Sequence, residues 1–316
     1  MVSDYKAQGL AIENIARANG GLSTIVCVQA MVCSVLMSCA NQAQKEKYLP
    51  KLTSSWVGAF GLTEAGAGSD ASAIKTTAKK EGDFYVINGS KQFITSGKNG
   101  QLAIVFAVTD KTAGKKGLSA FIVETDTKGY SAPRIEDKMG QHCSDTAQLV
   151  FEDMKVPAEN LLGAEGDGYK IALSNLENGR LSIAAQSLGL ARAAFVEALG
   201  YAKDRQTFGK AIIEHQAVGF KLVEMKTKLK AADHMVYDAA DLKDEGKPCL
   251  EAACMAKLYA SEMAEEIARD AIQIHGGYGY LCDFPIERIY RDLRVCSIYE
   301  GTSDIQKLII LKEMLK

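Results

Sequence analysis

The hydrophobic period of this 316-residue chain changes twice, and those changes constrain the fold more than any single motif does. Up to about residue 55 the apolar spacing is helical: Leu10, Ile12, Ile15 and Ala16 share a stripe, an apolar run spans Ile25 to Met37, and a polar helix from Asn41 to Tyr48 should stop at Pro50. From about Trp56 short β-type segments take over, at Thr76 to Lys79, Phe84 to Ile87, Lys91 to Ile94, Leu102 to Val108, Leu118 to Val123 and Gln148 to Phe151. Turn signals at Glu81-Gly82-Asp83, Asn88-Gly89 and Lys116-Gly117 separate them, which suggests a mostly antiparallel barrel or sandwich. Beyond Gly168 the period is helical again. Val218, Leu222, Met225, Leu229, Ala232, Val236 and Ala239 form the seam of a bundled helix, and Glu251 to Ile274 forms a second long helix after the break at Gly246-Lys247-Pro248.

Composition narrows the function classes without choosing one. At 47% apolar and 24% charged residues the chain can bury a sizeable core, and a net charge of -2 without a basic tract offers nucleic acid no footprint. The eight cysteines include no C-x-x-C pair, and Cys27, Cys33 and Cys39 scatter around a helix, so free thiols in a reducing cytoplasm fit better than a disulfide framework. His142, His215, His234 and His275 are too dispersed for a metal-site signature, and no metal is expected. The run Ile25 to Met37, interrupted by Gln29 and Ser34, is too short to span a bilayer and reads as a buried helix. Leu36-Met37-Ser38-Cys39 is similar to a lipoprotein cleavage site but lies too far from the start, behind charged residues.

Three runs carry candidate chemistry. Ile298 to Gln306 sets Glu300 beside Gly301, Thr302 and Ser303, just ahead of a helical run. Such a carboxylate can project into a cleft while backbone N–H groups stay free for a carbonyl, or it can be an ordinary solvated residue before a helix cap. Phe60 to Asp70 places three glycines and two hydroxyls where a strand ends, which allows close backbone approach to a ligand. It is neither a dinucleotide G-x-G-x-x-G nor a P-loop. Gln273 to Tyr280 ends a helix with paired glycines, either as a plain helix terminus or as a binding loop.

In this order the runs resemble the acyl-CoA dehydrogenase family, nearest to its short-chain or butyryl type. Asn88 to Thr95, Gly140 to Val156, Asp204 to Gly209 and Phe284 to Asp292 extend the likeness from about Tyr5 to the C-terminus. The resemblance implies an α+β multidomain fold: an N-terminal helical segment at 1–55, a central antiparallel β-barrel or sandwich at 56–165 and a C-terminal four-helix bundle at 166–316. Family members usually carry further helices ahead of Met1, so a truncated chain is expected. The implied reaction is FAD-dependent α,β-desaturation of an acyl-CoA, with Glu300 as catalytic base and electrons passing to an electron-transfer flavoprotein.

By the same resemblance, Phe60, Gly61, Leu62, Thr63, Glu64, Ala65, Gly66, Ala67, Gly68 and Ser69 line the flavin and Phe93, Ile94 and Thr95 flank its other side. Arg205, Phe208, Gln216, Gln273, Ile274, His275, Gly276 and Gly277 reach the FAD of a neighbouring subunit in a homo-oligomer, a tetramer built as a dimer of dimers. Thr302, Ser303 and Asp304 join the cofactor set. Ser69, Glu177, Asn178, Gly179, Arg180 and Gly301 match substrate contacts. Arg180 can instead pair with Glu177, and Arg205 with Asp204 or Glu214. Some relatives carry the base directly before the residue matching Arg180, where this chain has Gly179. Ala65 replaces a customary Pro, Phe93 a frequent Trp and His142 a common Arg. Three activities stay open on this scaffold: a dehydrogenase, an acyl-CoA oxidase or enoyl-CoA reductase, and a non-catalytic acyl-CoA-binding subunit.

Overall fold

The structure is a computed structural model and describes residues 4–316; Met1 to Ser3, with which the expected first domain begins, lie outside the described residues. Three helices come first, α1 (Tyr5–Ala18), α2 (Gly20–Cys39) and α3 (Gln42–Leu52). Eight strands follow: β1 (Gly58–Gly61), β2 (Thr77–Glu81), β3 (Phe84–Thr95), β4 (Leu102–Val108), β5 (Leu118–Glu124), β6 (Tyr130–Ile135), β7 (Thr146–Pro157) and β8 (Leu161–Leu162). The C-terminal part holds α4 (Gly168–Asp204), the short pair β9 (Gln206–Thr207) and β10 (Lys210–Ala211), then α5 (Gln216–Asp244), α6 (Leu250–His275), α7 (Ile286–Leu293) and α8 (Ser303–Met314). Two compact units emerge: a helical unit of residues through Thr24, Met139–Gln141 and Gly179–Lys316, and a β unit of Ile25–Lys138 and His142–Asn178.

In the β unit the sheet order is β6-β7-β3-β2-β4-β5-β8, with β1 added parallel to β4. Each face carries its own core. Leu102, Ile104 and Phe106 of β4 pack with Val32, Val35 and Leu36 of α2, while Ala103, Val105 and Ala107 meet Ile87, Ile94 and Leu149 on the other side. Strand alternation sends neighbouring β4 residues to opposite faces, and both faces are covered, so the strand reads as one apolar run.

Several expectations are corrected here. Phe84 to Ile87 and Lys91 to Ile94 belong to one strand, because Asn88-Gly89 makes an irregularity in the β3–β7 ladder instead of a hairpin. A Cβ at Gly89 would stand 2.6 Å from Thr76 Oγ1, so the close passage of two backbones fixes the glycine. Pro50 lies inside α3, which runs two residues beyond it; a proline in the last turn removes few internal hydrogen bonds. Leu10 is 46% exposed, and the buried stripe of α1 is Gly9, Ile12, Glu13 and Ala16.

Gln29 and Ser34 do not interrupt α2, which by length and composition is long and apolar enough to cross a membrane. Gln29 is used inside the fold: its Oε1 accepts from Gly58 N at 2.7 Å and its Nε2 donates to Leu52 O at 2.6 Å and Trp56 O at 3.0 Å. All eight cysteines are thiols outside any disulfide.

In the helical unit α5 buries Leu222, Met225, Leu229, Ala232, Val236 and Ala239, six of the seven seam residues. α1 joins α4 and α5 through a polar knot. Arg192 Nε donates to Glu13 Oε1 at 2.7 Å, its Nη2 donates to Asp233 Oδ1 at 2.8 Å, and the Tyr237 hydroxyl donates to the other oxygen of Glu13.

Candidate active site

Glu300 lies in the short link between α7 and α8 with a left-handed backbone, φ 53°, followed by Gly301 at φ 90°. Two left-handed residues in succession bring the chain round sharply, and Thr302 then caps α8 by accepting from Ile305 N at 3.3 Å. The turn is held from behind. Lys257 Nζ donates to Gly301 O at 2.8 Å, and Gln306 Nε2 donates to Gly301 O at 2.9 Å and Glu300 O at 3.2 Å.

The Glu300 carboxyl is sunk beside α4. A Cβ at Gly179 would stand 3.0 Å from its Cδ, so only glycine leaves it room. Its Oε2 is buried without a hydrogen-bond partner, as are Arg180 Nε and Ser303 Oγ. Burial pushes the carboxyl up to about 7, against the opposing pull of Arg180 and Lys257. Unpartnered buried polar atoms are costly in a finished core and ordinary in a cavity awaiting a ligand. The structure therefore brings Gly179, Arg180, Glu300, Gly301 and Ser303 together, whereas the Asp304 side chain is 89% exposed near Lys307.

The other residues expected at a neighbouring subunit's cofactor form a second group in the helical unit. The His275 ring stacks on Tyr201 at 4.3 Å between centroids, and its Nδ1 faces Ala271 O at 2.8 Å while Nε2 is buried and unpartnered. Arg205 lies over the Tyr278 ring at 5.9 Å and, among the described residues, makes no ion pair with Asp204 or Glu214. Phe208, at φ 51°, is 96% exposed. Gln273, Gly276, Gly277 and Gln216 lie exposed at helix ends, while Ile274 is buried.

Within the β unit the glycine-rich run and β3 lie side by side, with Gln92 N donating to Thr63 O at 2.8 Å. Their side chains divide. Leu62, Ala67 and Ile94 enter the two cores, so they contribute backbone only to any ligand. Glu64 also turns inward. Lys91 Nζ, fully buried, donates to its Oε1 at 2.7 Å, and the backbone N–H groups of Lys75 and Thr76 donate to the same carboxyl at 2.6 and 3.0 Å. Burial alone would raise Glu64, but the Lys91 ammonium and these donors hold it below the usual carboxylate range.

Facing outward are Ala65, Gly66, Gly68, Ser69 and Phe93, with Thr63 and Thr95 half-buried and Phe60 packed on Phe106 at 4.9 Å. A Cβ at Gly66 or Gly68 would meet nothing, so the chain's own packing does not demand those glycines. Phe93 is held at φ 60° and 61% exposed, a bulky aromatic presented in a strained conformation. Phe93, Phe208 and Glu300 are half of the six non-glycine residues with left-handed backbone among those described, and all three are candidate site residues. Glu177 and Asn178 directly precede Gly179 on α4, and Asn178 Nδ2 donates to Ser34 Oγ at 3.1 Å.

Sequence reasoning missed Lys257, and quoted Lys91 and Gln306 only as parts of motifs. The available signal at Lys257 was positional: Ala253, Ala260, Ala264 and Ile267 define the buried stripe of α6, and a lysine falls on it.

Family models match most of the chain: the acyl-CoA dehydrogenase N-terminal domain at residues 2–55, the middle domain at 59–154 and the C-terminal domain at 166–315. An acyl-CoA dehydrogenase of Bacillus subtilis is 47% identical over 315 residues, covering 99% of this chain and 83% of that protein. A subunit of the caffeyl-CoA reductase-Etf complex of Acetobacterium woodii is 44% identical, covering 99% and 83%. The structure of butyryl-CoA dehydrogenase from Megasphaera elsdenii superimposes with a TM-score of 0.96 at 44% identity, covering 98% of this chain and 81% of that one.

Proposed function

Because the chain belongs to the acyl-CoA dehydrogenase family, a family of flavoprotein oxidoreductases, we propose that it removes the α-proton and β-hydride of a short acyl-CoA thioester, with Glu300 as base and FAD as cofactor. One observation carries the assignment of the base: a buried, unpartnered carboxyl oxygen raised to about 7, facing a glycine that leaves it space. A base for a weakly acidic α-carbon needs a proton affinity near the working pH and a fixed position. Glu300 has both.

The residues present fit FAD. Phe93 offers a flat apolar wall, the unfilled space at Gly66 and Gly68 lets backbone N–H groups approach a ligand, and Thr63, Ser69 and Thr95 offer hydroxyls. FAD, when bound, supplies the hydride acceptor that no side chain provides. Glu300 takes the α-proton on its free oxygen, and the Glu300 backbone N–H, placed by the left-handed turn, is the donor available to the thioester carbonyl. Arg180 Nε offers a further unpartnered buried donor beside the carboxyl.

Assembly is part of the same reading. Phe195, Leu199, Phe220 and Val223 line an open groove of about 660 Å³ beside Gln216, and a homotetramer sharing cofactor contacts through Arg205, Phe208 and His275 would cover such surface. An electron-transfer flavoprotein is the proposed acceptor, supported by the Etf complex of the Acetobacterium relative. The same relative is named a reductase, which keeps the reverse direction as the second reading. Cysteines held as thiols outside disulfides fit a cytoplasmic location.

Anaerobic addition of butyryl-CoA to the yellow protein tests the proposal. Bleaching of the flavin band and formation of crotonyl-CoA are expected. A protein that cannot be loaded with FAD would overturn the reading.

A further inference from the structure

We infer that Lys257 is a positioning residue for the base: its ammonium anchors the Gly301 carbonyl, and through it the left-handed Glu300-Gly301 turn that keeps the carboxyl over Gly179. The inference rests on Glu300 being the base, and concerns what holds it there.

Lys257 sits in the first half of α6, with Ala253, Cys254, Ala260 and Ser261 buried on the same side, and none of its surface is exposed. A lysine almost never occupies such a place without a partner that needs it. Its ammonium donates a hydrogen bond to Gly301 O, at 2.8 Å. The acceptor is the carbonyl directly after Glu300, inside a backbone stretch that a non-glycine residue adopts only under constraint. Gln306 holds the same carbonyl, but it belongs to α8 and moves with the turn it clamps. Lys257 is the attachment to a different helix.

The charge matters alongside the hydrogen bond. The groups facing the ammonium are Glu300, Arg180 of α4, Cys296 ahead of the turn, and Glu262 on its own helix. A cation next to a buried carboxyl favours the ionised form, so Lys257 and Arg180 together oppose the desolvation that raises Glu300. Burial also brings Lys257 itself down to about 8. A neutral side chain of the same length would leave both the turn unanchored and the carboxyl harder to ionise.

The test uses FAD-loaded Lys257→Met, Lys257→Gln and Lys257→Arg beside Glu300→Gln, reading exchange of the butyryl-CoA α-proton in D2O against pH, flavin content and thermal melting. Lys257→Met is expected to exchange about tenfold or more slowly, as displaced catalytic groups do. Its pH midpoint should move up by about one unit, as loss of a neighbouring cation predicts. Lys257→Gln, which keeps a donor without the charge, should show the raised midpoint with a smaller rate loss, and Lys257→Arg should return the midpoint toward that of the parent. A parental midpoint in both neutral variants overturns the inference. So does failure of both to fold, or a lowered melting temperature with rate and midpoint unchanged, since either shows a purely structural lysine. Glu300→Gln separates the two readings: retained exchange there removes the base itself, whereas abolished exchange there with a parental Lys257→Met removes only this inference.

Discussion

The Glu300 carboxyl occupies the space that a side chain at Gly179 would need: a Cβ built there would collide with Oε2 and lie 3.0 Å from Cδ. The two residues are 121 positions apart in the chain, 300 − 179, and each explains the other. The glycine gives a buried acid its cavity, and the acid accounts for a glycine inside a long helix, where it otherwise costs up to about 1 kcal/mol relative to alanine.

Gly179→Ala should therefore keep the fold, since alanine is the better helix former, while displacing the carboxyl. We expect desaturation of butyryl-CoA to fall by about tenfold or more, with the circular dichroism spectrum and melting temperature close to those of the parent. Undiminished turnover would show that the carboxyl works from elsewhere.

Activity should rise with pH through about 7, because Glu300, as the proposed base, must be ionised to accept a proton and its carboxyl is protonated below that value. The profile of kcat/KM against pH is the measurement. A rate that is level from about pH 6 to pH 8 would be incompatible with this base.

The same group has a cost in stability. Its folded-state value of about 7 lies above the ordinary value for an unfolded glutamate, about 4.3, so between those limits the folded state holds the extra proton and stability declines as pH rises. Glu300→Gln removes that penalty. The variant should be more stable than the parent at pH 8 by up to about 3 kcal/mol, and the difference should vanish near pH 4. Denaturation curves at the two pH values check the sign; a variant less stable at pH 8 would contradict it.

Lys91→Met should be strongly destabilising. The Lys91–Glu64 pair is buried, and removing the cation leaves a carboxylate with only backbone donors, which typically costs about 3–5 kcal/mol. Because Glu64 also ties the glycine-rich run to Lys75 and Thr76, flavin content should fall along with the melting temperature. A variant that melts like the parent and keeps its flavin would show that the run needs no such anchor.

Much of the architecture was legible in the amino-acid order because periodicity is a local property. The seam of α5 and the extent of α6 follow from spacing alone, as apolar residues three and four apart must share a helix face. Asn88-Gly89 misled because the signal for a hairpin and that for an irregularity within a strand are the same dipeptide. The choice was made by the backbone at Thr76, which leads into β2. Pro50 misled because a stop signal two residues from a helix end carries little energy.

The candidate site divides along the same line. Sequence alone supplied its chemistry: a carboxylate beside glycine, a run of small residues, an arginine after a glycine. It also determined the order of helices, strands and helices. Only the tertiary structure decided which of those groups are buried and what each one touches. It turned the Glu64, Leu62 and Ile94 side chains inward, left the Glu300 oxygen and Arg180 Nε buried without partners, and set Lys257 behind the turn. The physical reason is that burial and proton affinity depend on what distant parts of the chain bring alongside a residue, and that quantity exists only once the chain has folded.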